Sequence, residues 1–136
     1  MAEKRTSNII LHVDDDPDDQ FIFRYTINRI DPSFIIRQAS NGHKAVEFLN
    51  LAAQCGGLPV LIIVDMNMPV ITGVETFKLI KQDACLSAIP MVLFTTSLTD
   101  DAIHYCRQEN IPAFEKPGNL QQFSDCVKKI LVVAGL

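Results

Sequence analysis

The sequence predicts an α/β protein with an open parallel sheet and helices on both faces, and two observations carry this prediction. Five short segments rich in β-branched or large apolar residues alternate with five amphipathic segments along the 136 residues. Each strand–helix unit takes roughly 25–30 residues. The segment VLIIV at 60–64 is apolar throughout, which is typical of a strand covered on both faces. Because the alternation accounts for the whole chain, we expect a single domain.

The bounds of these elements follow from composition and from capping residues. Asp16 before Pro17 is a favourable N-cap and first-turn pair, and Thr99 is a favourable N-cap before two aspartates. The predicted strands are Asn8–Val13, Phe34–Ala39, Val60–Val64, Met91–Thr95 and, more weakly, Pro112–Glu115. The predicted helices are Asp16–Ile30, Asn41–Leu51, Gly73–Gln82, Thr99–Gln108 and Asn119–Val133.

The composition is that of an acidic globular domain. Hydrophobic residues make up 48%, and 12 Lys and Arg residues against 16 Asp and Glu residues give a net charge of -4. This balance argues against direct binding of nucleic acid or of an anionic membrane. The apolar run IILHV near the N-terminus is too short for a signal peptide or a membrane span. The four cysteines form no CxxC pair, so we expect free thiols and a cytoplasmic protein.

Polar side chains gather at the ends of four predicted strands. Asp14–Asp16 follow the first strand, Asp65 follows the third, Thr95 and Thr96 lie at the end of the fourth, and Lys116 follows the fifth. Because ligands of such sheets bind beyond the carboxyl ends of the strands, we expect these residues to share one crevice. Carboxylate oxygens suit Mg²⁺, and a lysine with a threonine hydroxyl suits a phosphoryl group. Asp65 is then a candidate nucleophile that forms an aspartyl phosphate.

Five motifs at these positions give the chain a family resemblance. They are VDDDPDD at 13–19, NG at 41–42, LIIVDMNMPVITG at 61–73, IPMVLFTTS at 89–97 and EKP at 115–117. The set resembles the response-regulator receiver domains of two-component signalling, in which the D-x-x-x-P-x-x-x-G spacing of Asp65, Pro69 and Gly73 is typical. The resemblance implies a flavodoxin-like, doubly wound sheet of five parallel strands in the order 2-1-3-4-5, with five helices. Residues 1–136 would then be one receiver domain, with a core of about 8–133 and no effector domain.

The resemblance also implies a magnesium site. Asp65 would be the phosphoacceptor and a metal ligand, and Asp15 would bind Mg²⁺ directly. Asp14 would bind the ion through water, and Asn67 would offer its backbone carbonyl. The hydroxyl of Thr95 and the ammonium of Lys116 would contact the phosphoryl group.

The function implied is a phosphorylation-dependent switch and not that of a conventional enzyme. Mg²⁺-assisted self-phosphorylation and autodephosphorylation would be the only reactions. A histidine kinase or a phosphotransfer protein would supply the phosphoryl group, and a downstream protein would bind through about 99–133. We expect a monomer or a weak homodimer.

Several nearby residues are assigned other roles. We expect Asp16 to be an N-cap, Thr96 to be a loop residue, and His12 and His104 to be structural or surface residues. Many receivers carry Tyr or Phe three residues before the lysine, but this chain has Ala113 there and Phe114 one residue later. Because side chains alternate along a strand, we expect the usual aromatic rotamer switch to be absent at 113 and Phe114 to point the other way.

Two alternative functions remain open. Aspartyl-phosphate phosphatases typically carry a second aspartate two residues after the nucleophile, and this chain has Asn67 there, which disfavours that reading. A receiver-like binding module that acts without phosphorylation is the other alternative, since fold alone does not determine function. The complete set of acidic residues, threonine and lysine argues against it.

Overall fold

A computed structural model describes residues 7–136, and the first six residues of the polar N-terminal stretch lie outside the described residues. The strands are β1 Ile9–Val13, β2 Ile35–Ala39, β3 Leu61–Val64, β4 Met91–Thr95 and β5 Ala113–Glu115. The helices are α1 Pro17–Ile30, α2 Gly42–Cys55, α3 Gly73–Lys81, α4 Asp100–Gln108 and α5 Leu120–Val133. All strand pairs are parallel, in the order β2-β1-β3-β4-β5. The predicted fold and strand order are confirmed.

The ends of the helices follow the capping residues. Asp16 caps α1 by accepting a hydrogen bond of 2.9 Å from the amide of Asp18, and Thr99 caps α4, as the sequence predicts. The predicted end of α2 at Leu51 is too early, since the helix continues to Cys55. It ends there because Gly56 adopts a left-handed backbone with φ of 76°, which glycine tolerates and most residues do not.

The two faces of the sheet carry two hydrophobic cores. Side chains alternate along the strands, so Leu61 and Ile63 of β3 pack with α1 and α5, while Ile62 and Val64 pack with the other three helices. This two-sided burial explains why β3 is apolar throughout. Among the helices of residues 7–136, none has both the length and the apolar character that a membrane crossing requires.

The parallel register brings the carboxyl ends of the central strands to one edge of the sheet. Val13 at the end of β1 lies beside Val64 at the end of β3. The ladder continues one residue further, because the amide of Asp65 donates to the carbonyl of Val13 at 2.9 Å and that of Lys116 donates to the carbonyl of Thr95 at 2.8 Å. The polar residues after the strands are therefore neighbours, as the sequence predicts.

Gly73 sets the geometry of the loop between β3 and α3. Its amide donates to the carbonyl of Met66 at 2.9 Å, which folds the chain back toward the end of β3. A Cβ atom at position 73 would collide with the backbone carbonyl oxygen of Asp65. Glycine is therefore required at position 73 for a steric reason, because the loop passes too close to the end of β3 to leave room for a side chain.

We expect Gly73→Ala to lower the free energy of unfolding by roughly 1–3 kcal/mol, the usual cost of overpacking. Urea unfolding followed by circular dichroism measures this. Gly57→Ala is the matched control, because its Cβ would meet no atom within 4 Å and its φ is not positive. Unfolding midpoints that agree between the two variants would contradict the steric explanation.

Candidate functional site

Lys116 lies at the centre of the predicted crevice. Its Nζ is 2.7 Å from Oδ2 of Asp14 and 3.4 Å from Oδ2 of Asp65, and its side chain is only 4% exposed. These residues follow β5, β1 and β3, so the aligned strand ends bring them together. The predicted meeting of Asp14, Asp65 and Lys116 is confirmed.

Three carboxylates, two of which contact this lysine, form a group that suits a hard cation. One oxygen from each of Asp14, Asp15 and Asp65 lies within 4.8 Å of the others. Asp14 and Asp65 are buried, whereas Asp15 is exposed and can admit water. Oδ1 of Asp65 is buried and accepts no hydrogen bond from the described part of the chain. Asp65 thus has a carboxylate oxygen without a hydrogen bond and lies close to two further carboxylates, which fits a divalent ion with oxygen ligands, such as Mg²⁺.

The electrostatics of the lysine favour its charged form. Burial alone would lower the pKa of Lys116, but the hydrogen bond to Asp14 and the charges of Asp65 and Asp14 outweigh it, so the pKa lies above its ordinary value. For Asp14, burial raises the pKa, and the hydrogen bonds from Lys116 and from the amide of Asp16 act in the opposite direction. The crevice therefore holds a permanent ammonium against its carboxylates.

The other predicted site residues lie around this centre. Asn67 is exposed in the loop between β3 and α3, two residues from Asp65. Thr95 ends β4 and is fully buried, and its hydroxyl accepts a hydrogen bond of 3.2 Å from the amide of Ser97. Thr96 is an exposed loop residue, as the sequence predicts.

β5 carries its aromatic residue on the expected face. Ala113 packs against the core formed with α2, α3 and α4, whereas Phe114 packs against the core formed with α1 and α5. Phe114 lies beside Phe94 in the register of β4 and β5. The prediction that the two neighbours point to opposite faces is confirmed.

Asp19 is a contact of the site that the predictions from sequence did not include. It lies in the first turn of α1, and its Oδ2 is 3.1 Å from Nζ of Lys116. The signal was present in the second acidic pair of the DDDPDD run. Helix phase decided which of the two aspartates reaches the lysine, since Asp18 is exposed.

His12 lies closer to the site than its predicted structural role suggests. Its ring stacks on Phe23 with centroids 4.2 Å apart, and its Nε2 is 3.7 Å from Oδ2 of Asp14. Burial, helped by the charges of Lys116 and Arg24, lowers the pKa of His12 to about 3. The imidazole is therefore neutral near pH 7 and lies beside Asp14 as an uncharged ring.

This buried imidazole should make the protein less stable in acid. As the pH falls below the ordinary value of 6.5, the unfolded chain binds a proton that folded His12 refuses until about pH 3. The free energy of unfolding should therefore fall by roughly 2 kcal/mol between pH 7 and pH 5 because of this group, and most of that loss should occur below pH 6.5.

Urea unfolding in EDTA from pH 7 to pH 5 tests this effect. His12→Gln should lose less stability than the wild type over that range. His104→Gln, which alters an exposed histidine, should keep the wild-type pH dependence. Equal losses in wild type and His12→Gln would contradict the prediction.

Comparisons with known proteins agree with this geometry. Residues 10–128 match the family "Response regulator receiver domain". The chain is 27% identical over 132 residues to the probable methanogenesis regulatory protein FilR2 of Methanothrix harundinacea, covering 96% of this chain and 85% of that protein. It is 29% identical over 105 residues to the two-component response regulator ARR15 of Arabidopsis thaliana, covering 71% of this chain and 51% of that protein.

Solved structures show the same fold. The phosphorylated cyanobacterial phytochrome response regulator RcpA superposes with a TM-score of 0.83 at 26% identity, covering 92% of this chain and 91% of that chain. The Mn²⁺-bound form of response regulator Rcp1 gives a TM-score of 0.79 at 26% identity, covering 90% and 91%. The chain has the five-stranded sheet of these structures, an acidic crevice at the carboxyl edge of that sheet, and a family match over residues 10–128. It therefore belongs to the response regulator receiver domains of two-component signalling.

Proposed function

We propose that this domain is a phosphorylation-dependent signalling switch in which Asp65 accepts a phosphoryl group. The observation that carries the proposal is the arrangement around Asp65: Lys116 contacts one carboxylate oxygen, and the other oxygen is buried without a hydrogen-bond partner. Lys116 therefore orients the carboxylate, and a bond formed at its other oxygen would break no hydrogen bond from the described residues. The phosphorylated state of RcpA supports the same chemistry in a protein of the same fold.

The transfer changes one bond at phosphorus. A carboxylate oxygen of Asp65 forms the new bond, and the bond between phosphorus and a histidine nitrogen of the kinase or phosphotransfer protein breaks. A Mg²⁺ ion bound by Asp15 and Asp65, with the Asn67 carbonyl and with Asp14 through water, would supply charge neutralisation during the transfer. The Mn²⁺-bound form of Rcp1 supports a divalent ion here. Lys116 contributes an ammonium that already contacts Asp65 and needs no reorganisation.

The output follows from where the site residues lie in the chain. Thr95 directly precedes the loop to α4, and Lys116 lies between β5 and α5. A phosphoryl group adds negative charge that draws the Thr95 hydroxyl and the Lys116 ammonium, which shifts the population of two conformations of the segment at about 99–133. A downstream protein that distinguishes these conformations would receive the signal.

The proposed switch receives its phosphoryl group from another protein and passes its signal to another protein. We infer that a histidine kinase or phosphotransfer protein is the donor and that the domain works in the cytoplasm. The free state of Cys55, Cys85, Cys106 and Cys126 supports a reducing compartment. Beyond self-phosphorylation and autodephosphorylation, the proposal assigns the domain no enzymatic turnover, and its assembly state is that of a monomer or a weak homodimer.

Acetyl phosphate with Mg²⁺ should add one phosphoryl mass to the intact protein, detected by mass spectrometry. Asp65→Asn should abolish the adduct, because the amide lacks the nucleophilic carboxylate. Asp101→Asn is the matched control, since Asp101 is exposed in α4 and should leave the adduct unchanged. A wild-type protein of unchanged mass would refute the switch and favour a binding module that acts without phosphorylation.

Mg²⁺ affinity should depend on Asp15. Asp15→Asn removes one carboxylate of the three that lie within 4.8 Å, so calorimetric titration should show the loss of most of the affinity. Asp18→Asn makes the same charge change three residues later at an exposed position and should retain binding. Equal affinities of the two variants would exclude Asp15 as a direct ligand.

A further inference from the structure

The ammonium of Lys116 has three donors and three carboxylates around it. Besides Asp14 at 2.7 Å and Asp65 at 3.4 Å, Oδ2 of Asp19 lies 3.1 Å from Nζ. Asp19 belongs to α1, whereas the other two carboxylates follow strands of the sheet. The lysine is therefore fully engaged before any phosphoryl group arrives.

The contacts from Asp14 and Asp19 differ in what they do. Asp14 is completely buried and makes the shortest contact, so it holds the position of Lys116. Asp19 makes the longer contact and keeps 31% of its side chain exposed. A cavity of about 140 Å³ borders both Asp19 and Lys116 and gives the Asp19 side chain room on its open side. Lys116 would thus stay in place if the Asp19 carboxylate were removed.

The charge of the group around Lys116 determines how Asp19 affects the binding of cations and anions. The ammonium contacts the carboxylates of Asp14, Asp19 and Asp65. An oxygen of Asp15 lies within 4.8 Å of oxygens of Asp14 and Asp65, so the whole group has a formal net charge of -3. Such a field attracts a divalent cation and opposes the further negative charge of a phosphoryl group. Asp19 also occupies a donor of Lys116 that a phosphoryl oxygen could use.

We propose that Asp19 acts through Lys116: its carboxylate competes with the phosphoryl group for the ammonium and thereby weakens the phosphorylated state of the domain. The inference rests on the proposed phosphorylation of Asp65. When Asp65 is phosphorylated, one N–H group of Lys116 leaves a carboxylate and donates to a phosphoryl oxygen instead. Asp19 is the carboxylate that loses this contact most readily, because solvent can then hydrogen-bond to it. Asp19 so raises the free energy of the phosphorylated state relative to the unphosphorylated one, while it favours cation binding in both.

Two titrations with effects of opposite sign test the proposal. At saturating Mg²⁺, Asp19→Asn should bind beryllium fluoride, a tetrahedral analogue of the phosphoryl group, roughly threefold to tenfold more tightly than the wild type. Without fluoride, the same variant should bind Mg²⁺ about threefold to tenfold more weakly, because a carboxylate has left the field. Amide NMR shifts report the first titration, and calorimetry reports the second.

Two further variants separate this role from a general effect of charge or folding. Asp18→Asn removes a neighbouring exposed carboxylate from the same helical turn and should change both affinities less than Asp19→Asn does. Asp19→Glu restores a carboxylate and should return both affinities toward the wild-type values. A misfolded Asp19→Asn protein would lose both affinities together, whereas the expected pattern is tighter binding of beryllium fluoride with weaker binding of Mg²⁺.

The outcomes distinguish this inference from the proposed function. If the wild type binds beryllium fluoride but Asp19→Asn matches Asp18→Asn, or binds the analogue more weakly than the wild type, the role of Asp19 is overturned and the switch stands. If the wild type binds no beryllium fluoride at saturating Mg²⁺ and acquires no phosphoryl mass, the proposed function falls and the inference falls with it.

Discussion

The buried ammonium of Lys116 is the interaction on which the site depends. Desolvation opposes its charge, and carboxylates that follow β1 and β3, with one from α1, hold that charge in place. Removing one member of such a buried pair typically costs roughly 3–5 kcal/mol, because the partner charge is left uncompensated. Lys116 therefore ties the end of β5 to the ends of β1 and β3. Under the proposed function, the contacts that stabilise this edge of the sheet would also hold the ammonium ready for the phosphoryl group.

The loop between β3 and α3 shows that this edge sacrifices some stability for geometry. Gly73 approaches the backbone of Asp65 so closely that no Cβ fits, which gives up the better helix propensity of other residues at the start of α3. Val70 has a φ of 73° although it is β-branched, and 78% of its side chain is exposed. Such a backbone costs on the order of 1–3 kcal/mol and persists only where its surroundings impose it. Two features impose this backbone on the segment that carries Asn67. One is the capping box of Thr72 and Glu75, and the other is the hydrogen bond from the amide of Gly73 to the carbonyl of Met66.

Sequence reasoning reached the fold because its signals are local and repeat. Apolar runs mark the strands, and the rule for parallel sheets then places Asp14, Asp65 and Lys116 at one edge without any knowledge of their distances. It missed Asp19 because the choice between two adjacent aspartates depends on the phase of α1 and on the reach of a lysine 97 residues away. It placed His12 in β1 but could not show that the strand's alternation stacks the ring on Phe23, beside Asp14. Contacts such as these depend on how helices and strands pack in three dimensions, which the order of residues in the sequence does not specify.

Aromatic residues connect Lys116 to α5, although position 113 carries no aromatic residue. Nζ of Lys116 lies 5.8 Å from the centre of the Phe94 ring, and that ring packs against Phe123 of α5 with centroids 5.3 Å apart. Phe94 is buried and Phe123 nearly so, hence neither ring can move without repacking its neighbours. A displacement of the ammonium changes a cation–π contact with a ring that is part of the α5 interface. In the proposed switch, these packed rings would couple the site to α5 without a rotamer change at position 113.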